Sequence, residues 1–123
     1  MTHTATKIFV SGLEVQASIG VYPHERESTQ AIIIDIEVDM GAVPTPKNDL
    51  LAETFDYSLI ADKAQKIAHE THVQLVETLA SRIAKWAIAE DKRVQSCTVR
   101  IAKPHALLKT DTAGCQITLY RHG

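Results

Sequence analysis

The segment IIIDIEVDM, residues 32–40, alternates between two kinds of side chain. One set is large and apolar, whereas the other contains three acids. Because successive side chains of a β-strand point to opposite faces, this alternation predicts a strand with one buried face and one solvated acidic face. The apolar set is Ile32, Ile34, Ile36, Val38 and Met40, and the other set is Ile33, Asp35, Glu37 and Asp39.

The preceding segment predicts a second strand that changes phase part-way along. Its two halves have apolar residues of opposite parity, and a β-bulge near Gly12 would bring both halves onto one face. The first half contributes Ile8 and Val10, and the second half contributes Leu13, Val15, Ala17 and Ile19.

Helical spacing begins after a loop at residues 41–55, which contains two prolines and no sustained period. Ser58 is the expected N-cap of a first helix that ends near His69. A second helix follows at once and ends within residues 89–93. The apolar stripes are Ile60, Ala64, Ile67 and Ala68 in the first helix, and Val76, Leu79, Ala80, Ile83 and Ala87 in the second.

Two further strands, at residues 94–103 and 114–121, complete the order strand, strand, helix, helix, strand, strand. This order predicts an α+β fold with a four-stranded antiparallel sheet and both helices packed on one face. A chain of 123 residues with 45% hydrophobic residues is the size of one core, so we expect a single domain over residues 1–123.

The two cysteines should not form a disulfide. If the last two strands pair as a hairpin around residues 104–113, Cys97 lies opposite residue 119 and Cys115 lies opposite Ile101. Two buried free thiols are typical of a reducing compartment. The chain also has no apolar run that resembles a signal peptide or could span a bilayer, so we expect a cytoplasmic protein without a membrane partner.

The charge of the chain argues against nucleic acid as a partner, because the net charge is −2 and the basic residues are scattered. The free edges of the predicted sheet favour a different partner, a second copy of the chain paired edge to edge in a closed ring. The alternative is that Asp35, Glu37 and Asp39 are edge charges that keep a monomer soluble.

Familiar metal and nucleotide motifs are missing from the sequence. HETH, residues 69–72, places its histidines one position too close for the His-Glu-x-x-His zinc helix, and we interpret it as a solvated helix end. The sequence contains no CxxC, no glycine-rich phosphate loop and no Gly-x-Ser-x-Gly elbow. We therefore expect no metal and no cofactor.

A few polar residues occupy places that are mildly awkward for polar groups. Lys103 follows Ile101 on the apolar face of a strand, so its stem either reaches out to water or is held at the mouth of a pocket. Glu77 begins the second helix, Tyr57 precedes the first helix, and Glu25 lies in the loop VYPHERE. Taken singly, the two glutamates are explained by a helix dipole and by solvation.

The order of four segments along the chain argues against explaining these polar residues one by one. IGVY with an acidic loop, FDYSLI, HVQLVETLASRIA and VRIAKPHAL follow one another between residues 7 and 120. Together they resemble the dihydroneopterin aldolase family. The resemblance implies the tunnelling fold, whose subunits close through their sheet edges into a ring, commonly a homotetramer stacked into a homo-octamer.

The resemblance also implies which residues act. Glu77, beside Val76, would anchor a pterin, because a carboxylate can accept two parallel hydrogen bonds from the 2-amino group and N3–H. Lys103 and Glu25 would lie on the reaction side, and Tyr57 would enter the pocket of a neighbouring subunit. The catalytic residues would thus be Lys103, Tyr57 and Glu25, and the substrate-binding residues Glu77, Val76, Tyr57 and Glu25.

The implied reaction belongs to folate biosynthesis and splits 7,8-dihydroneopterin into 6-hydroxymethyl-7,8-dihydropterin and glycolaldehyde. The N5=C6 imine of the substrate takes up the electrons, so neither a Schiff base nor a metal ion is needed. Lys103 would move protons through water and the hydroxyl of Tyr57, and desolvation at a pocket mouth would favour its neutral amine.

Two alternatives remain open at the level of sequence. PHALLKTDTAG, residues 104–114, resembles dihydroneopterin triphosphate epimerase at least as much, with Arg26, His105 and Lys109 as candidate cations for the triphosphate. An epimerase would cleave the same C1′–C2′ bond and then re-add glycolaldehyde through its other face. The chain could also be a non-catalytic pterin- or purine-binding assembly module, although the joint presence of the four polar site residues argues against that.

Overall fold

The computed structural model describes residues 2–122. Its four strands are β1 (Thr6–Ala17), β2 (Gln30–Gly41), β3 (Ser96–Lys103) and β4 (Ala113–Tyr120). Its α-helices are α1 (Pro23–Glu27), α2 (Tyr57–Glu70) and α3 (Val76–Glu90), and a 3-10 turn covers Leu51–Glu53. The strands form one antiparallel sheet in the order β1-β2-β3-β4.

The core lies between one face of this sheet and the helices α2 and α3. The alternating apolar residues of β2 are buried in one cluster, as are the inner residues of β3 and the apolar stripes of both long helices, except for Val76, which is half-buried and packs against that cluster. The predicted α+β architecture is therefore confirmed. No helix within residues 2–122 is long and apolar enough to cross a membrane.

The sheet order corrects one part of the sequence interpretation. β2 pairs with β1 on one side and with β3 on the other, so Asp35, Glu37 and Asp39 do not lie on an edge strand. The two edges are β1 and β4. The acids of β2 therefore cannot serve as the edge charges that the monomer alternative required.

The predicted bulge near Gly12 is confirmed. The register of β1 on β2 shifts between Val10 and Leu13, and Gly12 has a φ of 71°, which glycine adopts at little cost. Asp35 holds the bulge, because its Oδ1 accepts hydrogen bonds from the Gly12 N–H at 2.6 Å and the Ser11 hydroxyl at 3.2 Å. This carboxylate is thus structural and is only half exposed.

Local capping differs from the prediction at two places. The N-cap of α2 is Asp56 and not Ser58, because the Asp56 Oδ1 accepts the Ser58 N–H at 2.8 Å. The segment VYPHERE is not simply a loop, since it contains the short helix α1, with Pro23 at its start.

The cysteine prediction is confirmed in register. Cys97 lies opposite Leu119, Cys115 lies opposite Ile101, and both thiols are free. Burial raises the pKa of Cys97 to about 12. Cys115 is only half-buried, because β4 is an edge strand, and the expectation that both thiols are buried is wrong for it.

Candidate active site

A pocket of 620 Å³ opens beside the end of β3 and the start of α3. Three parts of the chain form its walls: residues 20–30, which include α1, residues 74–77, and residues 103–107. It brings together four of the five predicted site residues, which are Glu25, Val76, Glu77 and Lys103. Residues far apart in sequence therefore meet where the sheet and the helix layer end.

Lys103 and Glu25 form an ion pair in this pocket, with 2.8 Å between Nζ and Oε2. Their side chains are only 16% and 11% exposed. The Oε2 of Glu25 also accepts from the Gln30 side-chain amide at 3.0 Å, and its Oε1 accepts from the Tyr22 N–H at 3.2 Å. Of the two positions predicted for Lys103, the pocket is therefore the one the structure shows.

The contacts of Glu25 fix its charge. The hydrogen bond from Lys103 lowers the pKa of Glu25 from 4.5 to about 2, with further help from Gln30 and Tyr22, although burial acts in the opposite direction. Lys103 thus has a fixed negative charge beside it in the pocket, in addition to the partial burial that its place on the strand predicts.

Gly20 makes room for the Glu25 carboxylate. A Cβ atom built on Gly20 would lie 2.0 Å from the carboxyl carbon of Glu25, and the φ of Gly20 is +136°. Gln30 acts from the other side, because its amide donates both to Glu25 and to the Ile19 carbonyl, the latter at 2.8 Å. The sequence reasoning missed Gly20 and Gln30 as site residues, and no periodicity or motif in the sequence singles out Gln30.

The opposite wall is formed by the start of α3. Glu77 lies in the first turn of that helix, where the helix dipole suits an anion, and its side chain is exposed. The carboxylate of Glu77 accepts no hydrogen bond from any residue between 2 and 122. Val76, just before it, is half-buried and packs against the core. This wall offers an apolar surface and a carboxylate with open acceptor positions.

Three predicted residues do not line the pocket. Tyr57 is the first residue of α2, is 65% exposed, and is not part of the pocket walls of its own chain. Among the cations proposed for a triphosphate, His105 lines the pocket, whereas Arg26 and Lys109 do not.

The interpretation of HETH as a solvated helix end is correct for only one of its histidines. His69 is exposed in the last turn of α2. His72 lies beyond the helix and is half-buried, with both ring nitrogens hydrogen-bonded, because the chain turns there toward the end of β1. Among the described residues, no group of three or more histidine, cysteine or acidic side chains is placed to hold a metal ion.

Comparison with known proteins assigns a family. The family model described as dihydroneopterin aldolase matches residues 8–118. A dihydroneopterin aldolase of Streptomyces coelicolor is 30% identical over 115 residues, which cover 94% of this chain and 96% of that protein.

Solved structures give the same result. A candidate dihydroneopterin aldolase from Vibrio cholerae matches with a TM-score of 0.84 at 27% identity, covering 94% of this chain and 98% of that one. A dihydroneopterin aldolase from Burkholderia thailandensis, solved with guanine bound, matches with a TM-score of 0.82 at 25% identity, covering 96% and 93%.

Proposed function

This chain belongs to the dihydroneopterin aldolase family, and we propose that it cleaves 7,8-dihydroneopterin in the pocket that contains Lys103, Glu25 and Glu77. The products are 6-hydroxymethyl-7,8-dihydropterin, a folate precursor, and glycolaldehyde. The observation that carries the assignment of the site is the ion pair of 2.8 Å between Lys103 and Glu25, at the opposite wall from Glu77.

The chemistry requires little more than proton transfer. Loss of the 2′-hydroxyl proton lets the C1′–C2′ bond break, so that C2′ leaves as the aldehyde carbon of glycolaldehyde. The electron pair passes through C6 to N5, and the intermediate is an enamine. A proton added at C1′ restores the N5=C6 imine and gives the hydroxymethyl product. The substrate itself is the electron sink, so the route uses neither a metal ion nor a lysine Schiff base.

Lys103 is the group that we assign to this proton transfer. One proton passes from the 2′-hydroxyl to the Lys103 amine and one passes from the resulting ammonium to C1′, so Lys103 ends a turnover in the charge state in which it began. Glu25 holds the Lys103 side chain and its waters in position. The other hydrogen bonds of Glu25 keep its carboxylate in place when the lysine moves. A water and the hydroxyl of Tyr57 complete the proposed relay.

Glu77 is the proposed anchor of the pterin ring. Its open acceptor positions suit the 2-amino group and the neighbouring ring N–H, which point in the same direction. The guanine bound to the Burkholderia protein presents the same pair of donors on its six-membered ring. Val76 adds an apolar contact beside that edge.

The cations around the pocket favour the unphosphorylated substrate. A triphosphate carries several negative charges, yet two of its three candidate partners, Arg26 and Lys109, do not line the pocket, and both glutamates do. We therefore place aldol cleavage of the free pterin ahead of epimerisation of the triphosphate.

Product analysis tests this choice. The protein is incubated with 7,8-dihydroneopterin and separately with its triphosphate, with a chelator present, and the pterins are resolved by chromatography. We expect chiefly 6-hydroxymethyl-7,8-dihydropterin from the free substrate, with some 2′-epimer. Action mainly on the triphosphate with retention of the side chain would identify an epimerase, and pterin binding without glycolaldehyde release would identify a binding module.

The proposal includes a ring of subunits closed through the β1 and β4 edges, commonly four or eight chains. Tyr57 is exposed and lies outside the pocket of its own chain, which supports its assignment to a neighbour's pocket. We also place the enzyme in the cytoplasm, where free thiols such as Cys97 and Cys115 persist.

Subunit mixing tests the shared site. Lys103→Met and Tyr57→Phe chains are each expected to be nearly inactive. After they are mixed, unfolded and refolded together in equal amounts, about one pocket in four should combine Lys103 from one chain with Tyr57 from another. Activity should then return to about a quarter of that of the wild type. No recovery in particles shown by light scattering to be mixed rings would contradict sharing, as would an active monomer.

A further inference from the structure

His72 connects two segments that lead into the pocket. Its Nδ1 is 2.6 Å from the Ser18 hydroxyl, and its Nε2 is 2.8 Å from the Gly20 carbonyl oxygen. The backbone runs beside it in a short parallel bridge, in which the Gly20 N–H donates to the Val73 carbonyl and the Val73 N–H donates to the Ser18 carbonyl. Gly20 and Gln74, at the ends of these segments, both line the pocket, but His72 does not.

The partners of His72 determine its tautomer. A carbonyl oxygen can only accept, so the Nε2 of His72 carries a proton and donates to Gly20. In the neutral ring, Nδ1 then accepts from the hydroxyl of Ser18. The bond to Gly20 fixes the orientation of its carbonyl, while the backbone bridge to Val73 fixes its N–H; the φ of Gly20 is +136°, a conformation that a glycine adopts easily.

The backbone held in this way lies against the carboxylate of Glu25. Glu25 lies against the Cα of Gly20, in the space that a Cβ atom would fill. Gln30 holds the preceding carbonyl, that of Ile19, and also donates to Glu25. Two adjacent carbonyls are thus each held by a side chain, and the carboxylate that binds Lys103 packs against the Cα of Gly20, which lies between them.

We propose that His72 is a positioning residue of the aldolase reaction, which acts by holding the Gly20 carbonyl and, through that backbone, the Glu25–Lys103 pair. The inference rests on the proposed role of Glu25. It assigns a specific task to the second histidine of HETH, and none to the first.

Substitution of His72 by two different amide residues distinguishes its two hydrogen bonds, one to Ser18 and one to Gly20. An asparagine amide reaches the position of Nδ1 and can bind Ser18, but it is too short to reach Gly20. A glutamine amide reaches the position of Nε2 and can donate to the Gly20 carbonyl. His72→Asn should therefore lose the hydrogen bond to the Gly20 carbonyl and the positioning role that depends on it. His72→Gln should retain both. His69→Asn is the matched control, because His69 belongs to the same short segment and is exposed at the helix end.

The measurements are kcat for 7,8-dihydroneopterin and the Kd of the pterin product, made well below the melting temperature of each variant. His72→Asn should lower kcat about tenfold, since small displacements of a catalytic group are costly, and should change Kd by less than about threefold. His72→Gln should stay within about threefold of wild-type kcat, and His69→Asn should match the wild type.

Several results would overturn the inference. Wild-type kcat in His72→Asn would do so, and so would equal losses in the asparagine and glutamine variants. If His72→Asn does not fold, the glutamine variant decides alone, because a loss of about tenfold in its kcat contradicts the proposal. Lys103→Met is measured in parallel: if it stays active, the proposed function fails, whereas loss in Lys103→Met with wild-type kcat in His72→Asn removes only the role of His72.

Discussion

Glu25 and Glu77 line the same pocket but are held in opposite ways. Glu25 accepts hydrogen bonds from Lys103, Gln30 and Tyr22, and its side chain is 11% exposed. Glu77 is exposed and accepts none from residues 2–122. A group that positions a proton carrier benefits from being fixed before substrate arrives, whereas a group that recognises a ligand must leave its acceptors open. In the proposed function, Glu25 and Lys103 therefore form a preorganised reaction wall, and Glu77 and Val76 form an open recognition wall.

Lys103→Met is the strongest test of the reaction wall. Methionine keeps much of the volume of the stem but cannot carry a proton, so turnover should fall by about 10²–10⁴, the range for a positioned acid–base group. Pterin affinity should change little, because recognition belongs to the other wall. Lys85→Met, at an exposed position of α3, is the matched control. Near-normal kcat in the Lys103 variant, measured by product formation, would contradict the division between the walls.

Much of the fold could be predicted because strands and helices leave periodic patterns. The alternation in residues 32–40 indicated the buried face of β2, and a parity change indicated the bulge at Gly12. The sheet order carries no such pattern, and the alternative in which the acids of β2 are edge charges is wrong for that reason. The cap of α2 was misplaced because Asp56 and Ser58 are both good capping residues, and only backbone geometry chooses between them.

The site was predictable only in part, for a related reason. Lys103 attracts attention because it continues an apolar face, and such a position has a local sequence signal. Gln30 and His72 have none, since their roles depend on carbonyl groups of residues 19 and 20 that the fold brings to them. Contacts between residues as far apart as Gly20 and His72 follow from the packing of the chain and not from its local pattern.

The pH dependence of stability tests how firmly Glu25 is held. Because its pKa is lowered from 4.5 to about 2, Glu25 stabilises the folded state above its usual pKa, and this stabilisation is lost as the pH falls. Between about pH 6 and pH 3 the loss should be about 2 kcal/mol per chain. Urea unfolding of the wild type and Glu25→Gln should give curves of unfolding free energy against pH that converge by this amount. Curves that do not converge would show that the ion pair with Lys103 does not hold the Glu25 carboxylate.

Glu77→Gln tests the recognition wall. The amide places a donor where the pterin also presents a donor, and a mismatch of this kind costs about 1–3 kcal/mol, so the affinity for the pterin product should fall tenfold or more. The kcat at saturating substrate should fall much less. Fluorescence titration of the product measures the affinity, and Glu90→Gln, at the far end of the same helix, serves as control. An unchanged Kd would mean that Glu77 only complements the helix dipole.

Gly20→Ala tests the preorganised wall with a single methyl group. The new Cβ would lie within 2.2 Å of all three carboxyl atoms of Glu25, and the flexible end of that side chain is the part that can move. Gly20→Ala should therefore displace Glu25 from Lys103 and lower kcat about three- to tenfold. Gly12→Ala is the matched control, because Gly12 also has a positive φ, +71°, but nothing lies within 4 Å of its Cβ position. Both variants should lose stability through backbone strain, by about 1 kcal/mol, and only the first should lose activity. Both are compared in assemblies of equal size, verified by light scattering. Equal loss of kcat in the two variants would show that backbone strain, and not the position of Glu25, controls the reaction wall.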